Sequence, residues 1–187
     1  MTKTIEDITN FIFVGKSLEE LSHYDLLIIN ADWVEEQLSK DIRIMKDKNI
    51  IDDNTVFIVC EGHQPNNNRS SANILIEYLN KENINNKIII SDKYISNPEI
   101  LKNIDKLVDI NSYNRILRIA KDFVARRWFM NASNYNFPID KCDFYGVVYN
   151  RNISKTEWYK SEIGINQVMK GFINIENQTI NKELSIK

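Results

Sequence analysis

Apolar residues fall along this chain in two rhythms, short unbroken runs and longer stretches with a spacing of three to four, and the two alternate. Leu26-Leu27-Ile28-Ile29 and Val56-Phe57-Ile58-Val59 are runs without alternation, which suits strands covered on both faces. Between them, Val34, Leu38, Ile42 and Met45 lie along one stripe of a helix expected over Trp33 to Lys48, with Asp32 as its cap and acids in its first turns. The second run leads through Cys60-Glu61-Gly62-His63 and an Asn-rich turn into apolar residues at helical spacing from Asn73 to Leu79. Lys87 to Ser91 with Pro98 to Ile110, and Ile116 to Ala120 with Phe123 to Asn134, repeat the unit, and Pro98 is suited to a first helical position. Asp143 to Tyr149 reads as a fifth strand and Thr156 to about Ile175 as a closing helix, with a loose polar tail from Glu176 to Lys187. Ile5, Ile8, Phe11 and Ile12 predict a further helix ahead of the first strand. Such alternation predicts a doubly wound α/β domain with a mostly parallel, Rossmann-like sheet between two helical layers, Leu26–Ile29 and Val56–Val59 being central.

In a sheet of this kind ligands settle beyond the carboxyl ends of the strands, which directs attention to the loops after them. His63 has the ordinary pKa of a general base, against the plainer reading of a solvated loop histidine. Glu61 follows a buried strand directly and is read either as an acid/base carboxylate or as a surface partner of Arg69. Asp92 and Asn97 bracket another strand-to-helix loop, where Asn97 is equally a helix cap before Pro98. Arg126 and Arg127 follow the fourth strand. Adjacent helical residues point about 100° apart, and at least one of the two is expected to line the same pocket as Glu61, His63, Asp92 and Asn97 and to hold a phosphate or carboxylate. The alternative is a surface ion pair with Asp122 or Asp140. The Trp128-Phe129-Met130 and Trp158-Tyr159 groups read as core.

Composition narrows the classes. The chain has 187 residues, 43% of them hydrophobic, enough for one ordinary domain. A net charge of -2, with Lys and Arg scattered among acids, gives no footprint for nucleic acid. No apolar run approaches the roughly 18 residues of a membrane span, and acids interrupt the apolar part of the first 21 residues, so a cytoplasmic protein is expected. Cys60 and Cys142 are then free thiols. A Cys60-x-x-His63 pair has no second pair at ligand spacing, so no metal site is expected. Neither a Gly-x-Gly-x-x-Gly, a P-loop nor a nucleophile elbow is present.

Across residues 24–175 the order of features resembles the YdcF-like family. Ile29-Asn30-Ala31-Asp32 and Arg43 stand where family members have a Gly/Asn turn and a basic helix residue. Cys60-Glu61-Gly62 stands at the family's Ser-Gly-Gly, and Ser71-Ala72 at its Glu-Ala pair. Asp92, Ser96 and Asn97 match its third loop, while Ile100 and Leu101 replace its Glu-Asn pair. Arg126-Arg127 and Trp158-Tyr159-Lys160-Ser161 match its later segments. The resemblance implies a Rossmann-like sheet with a small-molecule pocket along Asp32, Gly62, Arg69, Asp92, Asn97, Arg126 and Arg127, with S-adenosylmethionine or another nucleotide-type ligand as the usual suggestion. Two functions are open at this point. One is an enzyme acting on a phosphorylated or nucleotide-like substrate through Glu61 or His63, and the other is a diverged, non-catalytic binding or regulatory domain.

Overall fold

A computed structural model of the chain describes residues 4–31, 35–61, 70–91 and 97–181. Among the described residues five strands, β1 (Leu26–Ala31), β2 (Val56–Glu61), β3 (Ile88–Ser91), β4 (Ile116–Lys121) and β5 (Cys142–Val147), pair throughout in parallel, in the order β3-β2-β1-β4-β5. Six α-helices among the described residues accompany them: α1 (Ile5–Ile12), α2 (Glu35–Asp47), α3 (Ser71–Lys81), α4 (Asn97–Leu107), α5 (Ala125–Ser133) and α6 (Glu162–Ile180). The expected doubly wound α/β/α architecture is therefore the observed one.

Period-two alternation divides each strand between two cores. Leu27, Ile29, Phe57 and Val59 face Leu38, Ile42 and Met45 of α2 and Leu75 and Leu79 of α3. Leu26, Ile28, Ile58 and Cys60 face Ile100, Leu101 and Ile104 of α4 and Trp128 of α5. Because both faces are covered, these strands carry no polar alternation. A third apolar cluster joins Ile8 and Ile12 of α1 to Val168, Phe172 and Ile175 of α6, with Met130 and Trp158 between them, and the Trp158 indole N–H donates to Thr9 Oγ1 at 2.9 Å.

Several boundaries differ from the sequence expectation, each for a local reason. The closing helix begins at Glu162, not Thr156. Trp158–Lys160 forms a 3₁₀ turn, and the Ser161 hydroxyl accepts from Gly164 N at 3.1 Å, supplying the cap. The same helix runs on to Ile180, so 176–180 is helical where a loose tail was expected. Its buried stripe of Gly164, Val168, Phe172 and Ile175 anchors the last turns, and Thr179 Oγ1 donates to Ile175 O. The fifth strand stops at Val147, after which the Tyr149 ring turns against Phe123. Asn97 is the first residue of α4, with Pro98 inside its first turn.

The edge of the sheet at β5 is closed by the segment ahead of β1. Lys16 forms a parallel bridge with Tyr145 and its backbone N–H donates to Phe144 O at 2.7 Å. The Lys16 ammonium meets Asp143 at 2.7 Å, and the same carboxylate accepts from the Tyr24 hydroxyl at 2.6 Å.

Candidate functional site

The crossovers through α2 and α3 lead from β1 towards β3 on one face, and those through α4 and α5 lead towards β5 on the other. The chain thus reverses direction between β1 and β4, and the carboxyl ends of these two strands mark the place where α/β sheets form a ligand crevice. Strand β1 ends there in Asn30-Ala31, β2 in Cys60-Glu61, β3 in Ser91 and β4 in Ala120-Lys121.

Beneath that crevice lies a residue that sequence reasoning passed over. Arg118 stands in the middle of β4, paired in register with Ile28 and Phe144, and its side chain is completely buried. One terminal nitrogen donates to Ile28 O at 2.9 Å and to Ile119 O at 3.2 Å. The other donates to the side-chain oxygen of the half-buried Asn30. Nε is buried without a hydrogen-bond partner, and the guanidinium carbon lies 5.8 Å from the centre of the Trp128 ring. No carboxylate forms an ion pair with Arg118 among the described residues. The thiols of Cys60 and Cys142 share this interior. Burial pushes both pKa values up, and the Arg118 charge pulls against that rise. Both cysteines are core residues.

Glu61, at the end of β2, turns onto the start of α3. Its carboxylate accepts from Ser70 Oγ at 2.5 Å, Ser71 N at 2.9 Å and, more weakly, Ser71 Oγ at 3.3 Å and Ala72 N at 3.4 Å. An anion at a helix N-terminus satisfies free amides and complements the helix dipole. Here the protein's own carboxylate fills that place, so the start of α3 is closed to a phosphate. Glu61→Ala should lower stability by about 1–2 kcal/mol, as loss of a cap does. Urea unfolding checks this, and an unchanged midpoint would show the cap to be dispensable.

The two arginines after β4 diverge. Arg126 donates from Nε to Phe11 O at 2.9 Å and lies over the Phe11 ring at 5.0 Å. It borders a hollow of about 650 Å³ with Phe129, Ser133, Phe137 and Asp140. Arg127 borders a separate hollow of about 210 Å³ with Gln167, Lys170 and Asn174 of α6. Burial lowers the pKa of both. Neither hollow has Glu61 or Asn97 among its described lining residues, and neither arginine makes an ion pair with Asp122 or Asp140. Of the other sequence-derived candidates, Asn97 is half-buried at the start of α4, while Asp32, Gly62, His63, Arg69 and Asp92 lie outside the described residues.

A second residue that sequence reasoning did not select is Asp122, which follows β4 directly. Burial pushes its pKa up to about 7, against hydrogen bonds from the Phe123 amide, at 2.8 Å, and from its own amide. It faces a hollow of about 260 Å³ with Gly15, Lys16, Glu20, Gly146 and Lys155. A Cβ at Gly146 would lie 2.6 Å from Asp122 Cβ, so only glycine lets the carboxyl pack against β5. A carboxyl half-ionised near neutrality can both give and take a proton. Among the described residues no cluster of three or more His, Cys, Asp or Glu side chains could hold a metal ion, and no helix is long and apolar enough to cross a membrane. No protein-family model matches the chain, and no curated protein matches it.

Proposed function

We propose that this is a small-ligand-binding protein of YdcF-like type, taking a nucleotide-type ligand such as S-adenosylmethionine, or a phosphorylated substrate, at the carboxyl edge of the sheet between β1 and β4. The carrying observation is the reversal of strand order at β1 and β4, with polar Asn30 at the mouth and buried Arg118 below it. The order of YdcF-like features along the chain supports the same ligand class. On this reading the protein works in the cytoplasm on a small molecule, independently of nucleic acid and membranes. Asp122 is the residue whose protonation best suits acid/base chemistry.

A second reading is a non-catalytic binding or regulatory domain of the same fold. The observation favouring it is Glu61, whose carboxylate is committed to the start of α3 rather than free for proton transfer. A thermal-shift series with AMP, S-adenosylmethionine and glucose 6-phosphate tests the binding that both readings require. A ligand at 100 times its Kd stabilises the native state by about 2.7 kcal/mol, so at least one compound should raise the midpoint. No rise with any of the three would defeat the proposal. Turnover of the compound that binds, and its loss in Asp122→Asn, would separate the enzyme from the binding domain.

A further inference from the structure

We infer that the ligand of this crevice carries an anionic group, phosphate or carboxylate, received by the Asn30 side-chain amide, with Arg118 behind that amide as the buried counter-charge. The inference rests on the crevice proposed above and adds the charge of its ligand and the residues that read it.

Arg118 occupies an inward position where its strand neighbours on the same face are Ile116 and Ala120. An ionised group withdrawn from water is strongly destabilising unless an opposite charge and full hydrogen bonding compensate it. Arg118 has neither. Its acceptors are two backbone carbonyls and one amide oxygen, all neutral, and Nε has none. Guanidinium cannot shed its charge as a buried lysine can. The positive charge is therefore left over at the point where the sheet reverses order, and an anion arriving from the crevice completes it.

Asn30 is the means of contact. Its side-chain oxygen is held by Arg118, which fixes the orientation of the amide and directs its Nδ2 away from the arginine. That nitrogen makes no hydrogen bond among the described residues. A guanidinium donating into the amide oxygen polarises the amide and strengthens its N–H groups as donors. Arg118 itself, fully buried, is a positioning residue that acts through Asn30 and through its field in a low-dielectric interior. The N-terminus of α3 cannot perform this task, because Glu61 already occupies it.

Two matched ligand pairs test the inference by calorimetric titration: AMP against adenosine, and S-adenosylmethionine against its decarboxylated form. The parent protein should bind the member that carries the phosphate or carboxylate, in at least one pair, roughly tenfold or more tightly. Arg118→Met should abolish that preference, leave affinity for the member without the phosphate or carboxylate as it was, and keep or raise the thermal midpoint, since a buried charge is exchanged for an apolar chain of similar reach. Asn30→Ala, at a half-buried position, should abolish the preference with the fold intact, and Asn30→Asp should reverse it. Parent protein that binds both members of each pair equally would overturn the inference and leave the crevice standing. A preference that survives Asn30→Ala would overturn it too, as would an Arg118→Met protein that is markedly less stable while Asn30→Ala binds like the parent. No binding by any of the four compounds would instead overturn the crevice reading on which the inference rests.

Discussion

Replacing Asp122 by asparagine should stabilise the protein at pH 8 by on the order of 2–4 kcal/mol and change it little at pH 4. In the unfolded chain this carboxyl ionises near its ordinary value of 3.8, whereas in the folded protein burial holds its proton until about pH 7. Between those values the native state binds the extra proton, so stability declines as pH rises from about 4, and the loss is complete above 7. Asparagine has the same shape and never ionises. Urea unfolding of both proteins across that range gives the answer, and an equal difference at pH 4 and pH 8 would show that Asp122 titrates normally. The consequence reaches the site, because a carboxyl that costs stability when ionised is retained beside the 260 Å³ hollow of Lys16, Glu20 and Lys155. Gly146 is what allows it to sit there.

Trp128→Ala should cost about 3–5 kcal/mol, the range for removing a fully buried large aromatic side chain. The indole meets Phe137 edge-on at 5.0 Å between ring centres and Phe129 at 5.6 Å, and it covers the Arg118 guanidinium. Its loss would open a cavity against a buried charge, so water should enter there. Trp128→Phe keeps most of the packing and should lose much less. Unfolding in urea with an unchanged m-value is the measurement. A cost below about 1 kcal/mol for the alanine variant would mean that the core closes over the gap.

Much of the architecture was legible because burial on both faces forces apolar runs, and Leu26 to Ile29 and Val56 to Val59 are such runs. Their helices showed equally clearly through stripes such as Leu38, Ile42 and Met45. Arg118 carries a signal, a lone cation inside Ile116-Leu117-Arg118-Ile119-Ala120, which the hydrophobicity of the run masks. A residue flanked by inward Ile116 and Ala120 must itself point inward, which alone could have singled it out. Asp122 was harder, since its withdrawal from water depends on Gly146, distant in sequence and brought alongside only by the β4–β5 pairing. Glu61 is legible as the residue at the end of a strand, yet its fate depends on the chain returning so that Ser70 and Ser71 present their hydrogen-bond donors to it. The arginines illustrate the limit of positional reasoning. Their 100° divergence was predictable, but which neighbours each would meet depended on Phe11 from α1 and Lys170 from α6, partners that no local pattern announces.

The Lys16 bridge to Tyr145 also bears on the order in which a growing chain completes itself. A strand centrally placed in the sheet is made early, and its neighbour β4 is made late. The segment that seals β5 precedes even the central strand, so it has no partner until ~130 further residues have been synthesised, roughly 6–26 s at translation rates of 5–20 residues per second. One side of β1 meanwhile stays an open edge of buried-type residues, Leu26 to Ile29, able to pair with other chains until β4 follows ~90 residues later. The interval before β4 and β5 emerge, rather than any weakness of the finished sheet, is thus when the sheet edge is most exposed to pairing with other chains.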